Sequence, residues 1–123
     1  MTADTLEARV AQRVQRGVRW LNLHYPGWPR RIHLKTFDFT NPCQCVVGFV
    51  CRPPRGSRDR DGHALDGFDV AVAKLGRPRV RALGFDWGLE PGDGGMYEAE
   101  RDALARAWQV AIRVAREGLR GRA

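Results

Sequence analysis

The chain has 123 residues, of which 43% are hydrophobic and 28% are charged, and its formal net charge is +7. This length and composition predict one globular domain over residues 1–123 and exclude a disordered chain or a membrane-spanning one. The basic excess lies mainly in residues 26–60, where seven basic residues stand against two acidic ones, and a field of this sign attracts polyanions such as nucleic acid.

The segment from Asp4 to His24 is predicted to form an amphipathic helix. Its apolar residues recur at steps of four and three, as helical periodicity requires, and they are Leu6, Val10, Val14, Val18 and Leu21. Arginines occupy the opposite side, and Pro26-Gly27 ends the helix, because proline disfavours helical backbone in the residue before it. The first six residues include one acid, Asp4, and no apolar stretch, so we expect no secretory signal and a cytoplasmic protein.

The next segments are predicted to be extended. Ile32-x-Leu34 and Phe37-x-Phe39 alternate as short strands do. The apolar run 45–51 is compatible with a strand, or with a helix that Asn41-Pro42 would open. Its β-branched residues favour the strand, and the helix stays open as the alternative.

Residues 52–63 are polar and rich in Pro and Gly, a pattern that predicts a flexible loop. A short helix is expected from Asp66 to Leu75, while residues 79–83 fit either structure. Residues 90–95 are predicted to form a second loop.

A second long helix is predicted from Met96 to Leu119, with acidic residues near its start and arginines near its end, as the helix dipole favours. The two long helices are expected to pack together through Val10, Val14, Val18 and Leu21 against Leu104, Trp108 and Ile112. The predicted fold class is therefore α+β, with two long amphipathic helices and a few short strands.

Three cysteines lie within nine residues, and with His33 they are the candidate ligands of a zinc ion: Cys43, Cys45 and Cys51. Cys-x-Cys is a poor chelating pair for zinc, whereas reduced cysteines commonly fill cores. We therefore favour the packing role and expect no cofactor. No histidine or acid is fixed near Cys43 by any motif, so a non-enzymatic binding protein is favoured over an enzyme.

The basic residues supply the candidate interface for nucleic acid. Arginines that could follow a phosphate backbone are Arg9, Arg13, Arg16, Arg30, Arg31, Arg52, Arg55, Arg58 and Arg60. Trp28 and Tyr25 could stack on bases. A solvated arginine face is the plainer interpretation, since no helix-turn-helix, zinc-finger or RNP pattern accompanies the charge.

Several short motifs carry a resemblance: Pro26-Gly27-Trp28 after a helix, then Ile32-His33-Leu34, Phe37-Asp38-Phe39 and Cys45-Val46-Val47-Gly48. In these the chain resembles small uncharacterised proteins of actinobacteria and their phages. His33 and the Arg-rich loop depart from that pattern. The resemblance implies a phage or mobile-element origin and names no reaction. It suggests a second binding function, an accessory protein that modulates a host protein through residues 52–63 or an exposed helix face.

Overall fold

The computed structural model describes residues 5–87 and 97–120. Within them the chain forms six helices: α1 Leu6–His24, α2 Trp28–Arg31, α3 Val46–Val50, α4 Gly67–Leu75, α5 Arg77–Ala82 and α6 Tyr97–Arg120. The only β pairing among these residues is an isolated bridge between Arg58 and Ala64. No helix of the described segments is long and apolar enough to cross a membrane.

The predicted α+β class is wrong, because the expected strands do not form. Ile32 and Phe39 are buried in the core, but the backbone between them is a series of turns. Thr36 N donates to His33 O at 3.1 Å, and Asn41 N donates to Asp38 O at 3.0 Å. These segments therefore satisfy their backbone groups locally rather than in a ladder.

The apolar run 45–51 forms helix α3, so the strand favoured above is wrong. Phe49 N donates to Cys45 O at 3.0 Å and Cys51 N donates to Val47 O at 2.8 Å. Every residue of the run is buried, so it is packed on all sides. The free energy of these packing contacts outweighs the strand preference of its β-branched residues. Gly48 makes this packing feasible, because a Cβ there would lie 2.6 Å from Pro42 O.

The two long helices form and pack as predicted. Arg13 of α1 lies 3.4 Å from Glu100 near the start of α6, and Arg116 near the end of α6 donates to Pro29 O, just beyond α1, at 3.0 Å. The helices therefore run parallel. The buried residues of their contact include those predicted for it: Val10, Val14, Leu21, Leu104, Trp108 and Ile112. Val18 is half-buried.

Helix α4 confirms the short helix expected before Gly76. The Asp66 carboxylate accepts from Asp69 N at 2.7 Å and caps it. Gly76, at φ 80°, then turns the chain directly into α5. Residues 79–82, for which the sequence fitted either a helix or a strand, are therefore helical, and Leu83 caps the helix. Residues 52–63 contain no helix, as predicted, and the loop expected at 90–95 lies outside the described residues.

Candidate functional site

Tyr25, just past the end of α1, lies close to two cations from different helices. The Arg31 guanidinium carbon of α2 and the Lys74 Nζ of α4 are each 5.7 Å from the centre of its ring. Lys74 Nζ also donates to the Tyr25 hydroxyl at 3.1 Å. Arg52 extends the positive surface, with its guanidinium 5.6 Å from the Phe49 ring. We call Tyr25, Arg31, Arg52 and Lys74 the Tyr25 patch.

Local backbone structure positions each member of the patch. Tyr25 N donates to Leu21 O at 2.7 Å and closes α1, after which Pro26-Gly27 leads into α2 and Arg31. The Arg31 side chain is held by a hydrogen bond from Nη1 to Val50 O at 3.1 Å. Arg52 lies two residues after the end of α3, and Lys74 occupies the last turn of α4. The patch thus draws its cations from three helix ends, with Arg31 and Lys74 at the Tyr25 ring and Arg52 at the Phe49 ring.

The pKa values of Lys74 in the patch and of the neighbouring Cys51 are both raised. The hydrogen bond with Tyr25 raises the pKa of Lys74, which keeps its ammonium protonated. Beside it, burial raises the pKa of the Cys51 thiol, although Tyr25, Lys74 and Arg31 favour the thiolate. The thiol therefore stays neutral and does not cancel the cations.

Aromatic surface continues from Tyr25 back along α1. The Trp20 ring lies 5.6 Å from the Tyr25 ring and 5.0 Å from the His24 ring. Trp20 and Tyr25 are half-buried and His24 is exposed. Part of each of these three residues is therefore accessible to solvent.

Arg13 is not part of any exposed interface, contrary to the prediction. Only 7% of the residue is exposed. Its Nε donates to Arg81 O at 2.8 Å, its Nη2 donates to Asp86 O at 2.7 Å, and its Nη1 lies 3.4 Å from Glu100 Oε1. Desolvation by burial lowers the pKa of Arg13 despite Glu100. This arginine joins α1 to α6 and to the segment after α5.

Trp28 cannot stack on bases as predicted, because it is fully buried. Its Nε1 donates to Asn22 Oδ1 at 2.9 Å, and its ring meets Trp108 edge-on with the centres 6.2 Å apart. The tryptophan of the Pro-Gly-Trp turn therefore packs the end of α1 against α6. Tyr25, three residues earlier, offers the accessible ring.

The remaining predicted arginines are exposed or half-buried, but they do not form one cluster. Arg30, Arg31 and Arg52 lie around α2 and the end of α3, and the exposed loop arginines are Arg55, Arg58 and Arg60. Arg58 donates to Gly62 O at 2.7 Å and so also stabilises its own turn. Arg9 and Arg16 precede Tyr25 on α1 by more than two helical turns, so neither joins the patch.

Sequence reasoning missed Lys74, which lies 49 residues from Tyr25 along the chain. A signal was present, since Lys74 is one of two lysines among 21 basic residues and occupies the exposed side of a predicted helix. Nothing in the sequence, however, relates that helix to the end of α1.

The zinc candidates do not converge in the structure. Cys45 and Cys51 are buried and Cys43 is exposed, and burial raises the pKa of Cys45 to about 12. In residues 5–87 and 97–120, the one group of side chains close enough to share a metal ion is Asp59, Asp61 and His63, all exposed. Asp59 Oδ1 already accepts from Asp61 N and His63 N at 2.9 Å each, which gives it a role in the turn.

A cleft of about 320 Å³ is lined by Asp66, Asp69 and Asp86 beside the rings of Phe39 and Trp87. Asp66 and Asp69 cap α4 reciprocally. Asp86 Oδ1 accepts from Trp87 N at 2.9 Å. The contacts of these carboxylates thus support local backbone structure.

Comparison with known proteins identifies no relative: no family model, curated protein or solved structure matches the chain. The resemblance to small actinobacterial and phage proteins accordingly stays a prediction. Among the described residues, the Tyr25 patch brings exposed cations and partly exposed aromatic rings together.

Proposed function

We propose that the protein binds nucleic acid through the Tyr25 patch, with unpaired bases as the preferred target. The observation that carries the proposal is the pair of cations beside Tyr25, since Arg31 and Lys74 each lie 5.7 Å from the centre of its ring. Proteins that bind single strands combine cations along the backbone with aromatic rings on which bases stack. This binding role is non-enzymatic.

The proposed path of a strand follows the cations. Arg31, Arg52 and Lys74 would neutralise phosphates around Tyr25, and the exposed Arg55 and Arg60 would extend this track along the loop. The exposed part of the Tyr25 ring would take a base, with Trp20 5.6 Å away as a neighbouring aromatic surface. A duplex, whose bases are already stacked, would use only the phosphate contacts.

Fluorescence anisotropy with a labelled single strand of about 15 nucleotides, and with the matching duplex, tests the proposal across a salt series. We expect a Kd of about 1 µM or tighter near physiological salt, which exceeds typical non-specific affinity. Replacing Arg31, Arg52 and Lys74 together by Ser should weaken binding and make the salt slope for the single strand shallower by about 2. Tyr25→Leu should cost about 1–3 kcal/mol for the single strand with an unchanged slope.

The matched control replaces Arg19, Arg106 and Arg113 by Ser, which removes the same charge from exposed positions of α1 and α6. It should leave the affinity for the single strand within about threefold of the unaltered protein, because all of the proposed phosphate contacts remain. Equal losses in the two triple variants would attribute binding to net charge and contradict a localised patch. Binding weaker than about 100 µM by the unaltered protein would make the +7 charge a solubility feature.

A further inference from the structure

The cleft of about 320 Å³ beside the start of α4 brings carboxylates and aromatic rings together from distant parts of the chain. Asp66 and Asp69 belong to the start of α4, and Asp86 belongs to the segment after α5. Phe68 and Trp87 are half-buried, so part of each is accessible. The aromatic lining residues are Phe39, Phe68, Phe85 and Trp87. The cleft therefore offers negative charge and apolar surface in a volume that suits a small organic ligand.

Asp86 is the most buried carboxylate of this cleft, with 9% of the residue exposed. Its Oδ1 accepts from Trp87 N at 2.9 Å. Across the described segments its Oδ2 forms no hydrogen bond, and Arg81 Nε lies 4.0 Å from it, beyond hydrogen-bonding distance. Burying a carboxylate oxygen without a hydrogen bond is unfavourable. Asp86 Oδ2 is therefore an acceptor that a donor in the cleft would satisfy.

The two carboxylates at the start of α4 are held together by reciprocal capping. Asp66 Oδ1 accepts from Asp69 N at 2.7 Å, and Asp69 Oδ2 accepts from Asp66 N at 3.4 Å. These contacts occupy N–H groups that would otherwise attract an anion. Burial raises the pKa of Asp66, and the charge of Asp69 raises it further. A bound cation would relieve this repulsion between the two carboxylates.

The charge of the cleft is opposite to that of the whole chain, which is +7. Three aspartates line it against one basic residue, the exposed Arg77, so a cation complements it better than an anion. Asp66, Asp69 and Asp86 do not lie close enough to one another to share a metal ion. Aromatic rings attract an organic ammonium ion and provide surface for its carbon chain, whereas magnesium and calcium require several converging oxygen ligands. The lining thus favours an organic cation.

We propose that the cleft binds an aliphatic ammonium group, which donates to Asp86 Oδ2 while its carbon chain lies against Trp87 and Phe68. Free aliphatic amines and the lysine side chains of other proteins share this chemistry. The proposal goes beyond nucleic-acid binding and does not depend on it. The cleft and the Tyr25 patch lie at opposite ends of α4, since Asp66 caps its start and Lys74 occupies its last turn.

The test is a titration with butylamine, which is protonated at neutral pH, and with butanol, its neutral analogue of similar shape. NMR of the indole and backbone N–H groups follows binding. Butylamine should bind with a Kd of about 1 mM or tighter, and butanol at least about tenfold more weakly. The Trp87 indole signal should shift. The signals of Trp28 and Trp108 should not, because their indole N–H groups are hydrogen-bonded inside the protein.

N-acetyl-lysine amide, titrated in the same way, distinguishes the two sources of the ammonium group. This probe keeps the lysine ammonium and adds a peptide backbone. Tighter binding than that of butylamine would support a lysine side chain of a partner protein as the ligand. Weaker binding would support a free amine, because the added backbone would then obstruct entry to the cleft.

Asp86→Asn should weaken butylamine binding by about tenfold or more, because it removes a charge-assisted hydrogen bond. Asp102→Asn, which removes the same charge from an exposed position of α6, is the matched control and should leave the affinity within about twofold. Circular dichroism checks the fold of each variant. Asp69→Asn, at an exposed position, should weaken binding by about threefold or more and replaces Asp86→Asn if that variant does not fold.

Four results would each overturn the proposal. Butylamine could bind more weakly than about 1 mM, or butanol could bind equally well, which would leave no role for the charge. The cleft variant and Asp102→Asn could have equal effects, which would attribute binding to net charge. Magnesium chloride could displace butylamine at constant ionic strength, which would make the cleft a site for an inorganic cation.

Discussion

Arginines occupy two contrasting surroundings in this protein, the buried cluster around Arg13 and the exposed Tyr25 patch. The Arg13 guanidinium meets two backbone carbonyls and the Glu100 carboxylate, all within 3.4 Å. Arg52 stands over Phe49 with its charge open to water. The same side chain thus joins segments of the fold in one place and offers a free charge in the other, so a count of arginines does not measure a binding surface.

The difference follows from what surrounds each charge. A buried guanidinium is stable only where hydrogen bonds and an opposite charge replace its lost hydration. Around Arg13 these partners come from the start of α6 and from residues 81–86. An exposed guanidinium keeps its water and exchanges it for a phosphate at little cost. Substitutions in the two regions should therefore affect different measurements.

The largest expected effect is that of Arg13→Ala. It should reduce the free energy of unfolding by about 3–5 kcal/mol, because it breaks a buried ion pair and removes the hydrogen bonds to Arg81 O and Asp86 O. Urea unfolding followed by circular dichroism measures this loss. Arg16→Ala, at an exposed position one turn away, is the control and should change stability by no more than about 0.5 kcal/mol. Equal effects would show that burial does not distinguish the two arginines.

The next largest effect is expected from Gly17→Ala. Gly17 lies one turn after Arg13, where α1 packs against α6 and Leu83. An added Cβ would collide with the Leu83 carbonyl oxygen and lie 2.9 Å from the Trp108 ring, so we expect a loss of about 1–3 kcal/mol. Gly118→Ala tests the exposed side of the helix pair, since nothing lies within 4 Å of the added Cβ. It should stabilise α6 by about 0.5–1 kcal/mol. If urea unfolding showed that both substitutions stabilise the protein, or that both destabilise it, the contrast between a crowded Gly17 and an open Gly118 would be wrong.

A smaller effect concerns Asp86, next to the buried cluster. Burial raises the pKa of Asp86 above its usual 3.8, and the Trp87 N–H and Arg81 reduce this rise without abolishing it. The folded state therefore binds a proton more tightly than the unfolded state. As pH falls through the raised pKa towards 3.8, the unaltered protein should gain stability relative to Asp86→Asn. Urea midpoints of both proteins near neutral pH and in mild acid measure this, and a difference independent of pH would contradict it.

The smallest effects on stability are expected in the Tyr25 patch. Arg52→Ser and Lys74→Ser should each change the free energy of unfolding by no more than about 0.5 kcal/mol, because their charges remain hydrated in the folded state. The same urea series measures both variants. A loss comparable to that of Arg13→Ala would mean that the patch is a structural cluster, and would remove the basis for assigning it a binding function.

Much of the helical framework was predictable, whereas the short segments between the long helices were not. The apolar periodicity of α1 and α6 is long enough to specify helix type, buried side and mutual contact. Ile32, Phe39 and the run 45–51 are equally apolar but too short to show a period. Their conformation depends on residues that pack over them from elsewhere, which is why the predicted strands were wrong.

The candidate site was also only partly predictable, because its residues come from distant parts of the chain. Arg31 and Arg52 were predicted for an interface and are exposed, while Lys74 was missed and Trp28 was wrongly included. The sequence contains a weak indication that Arg13 is buried. Arg13 lies three residues after Val10 and four before Gly17, at the edge of the apolar side of α1 rather than opposite it. Its partners, however, lie 68 to 87 residues further along the chain.

Two long helices, their apolar sides and the excess of positive charge follow from the order of residues alone, because these properties are local or additive. Contacts between distant segments decide that residues 45–51 are helical, that Arg13 is buried and that Lys74 meets Tyr25. Each of these depends on which distant segments lie together. Burial and electrostatic environment are properties of such neighbours, and the periodicity of a single segment does not specify them.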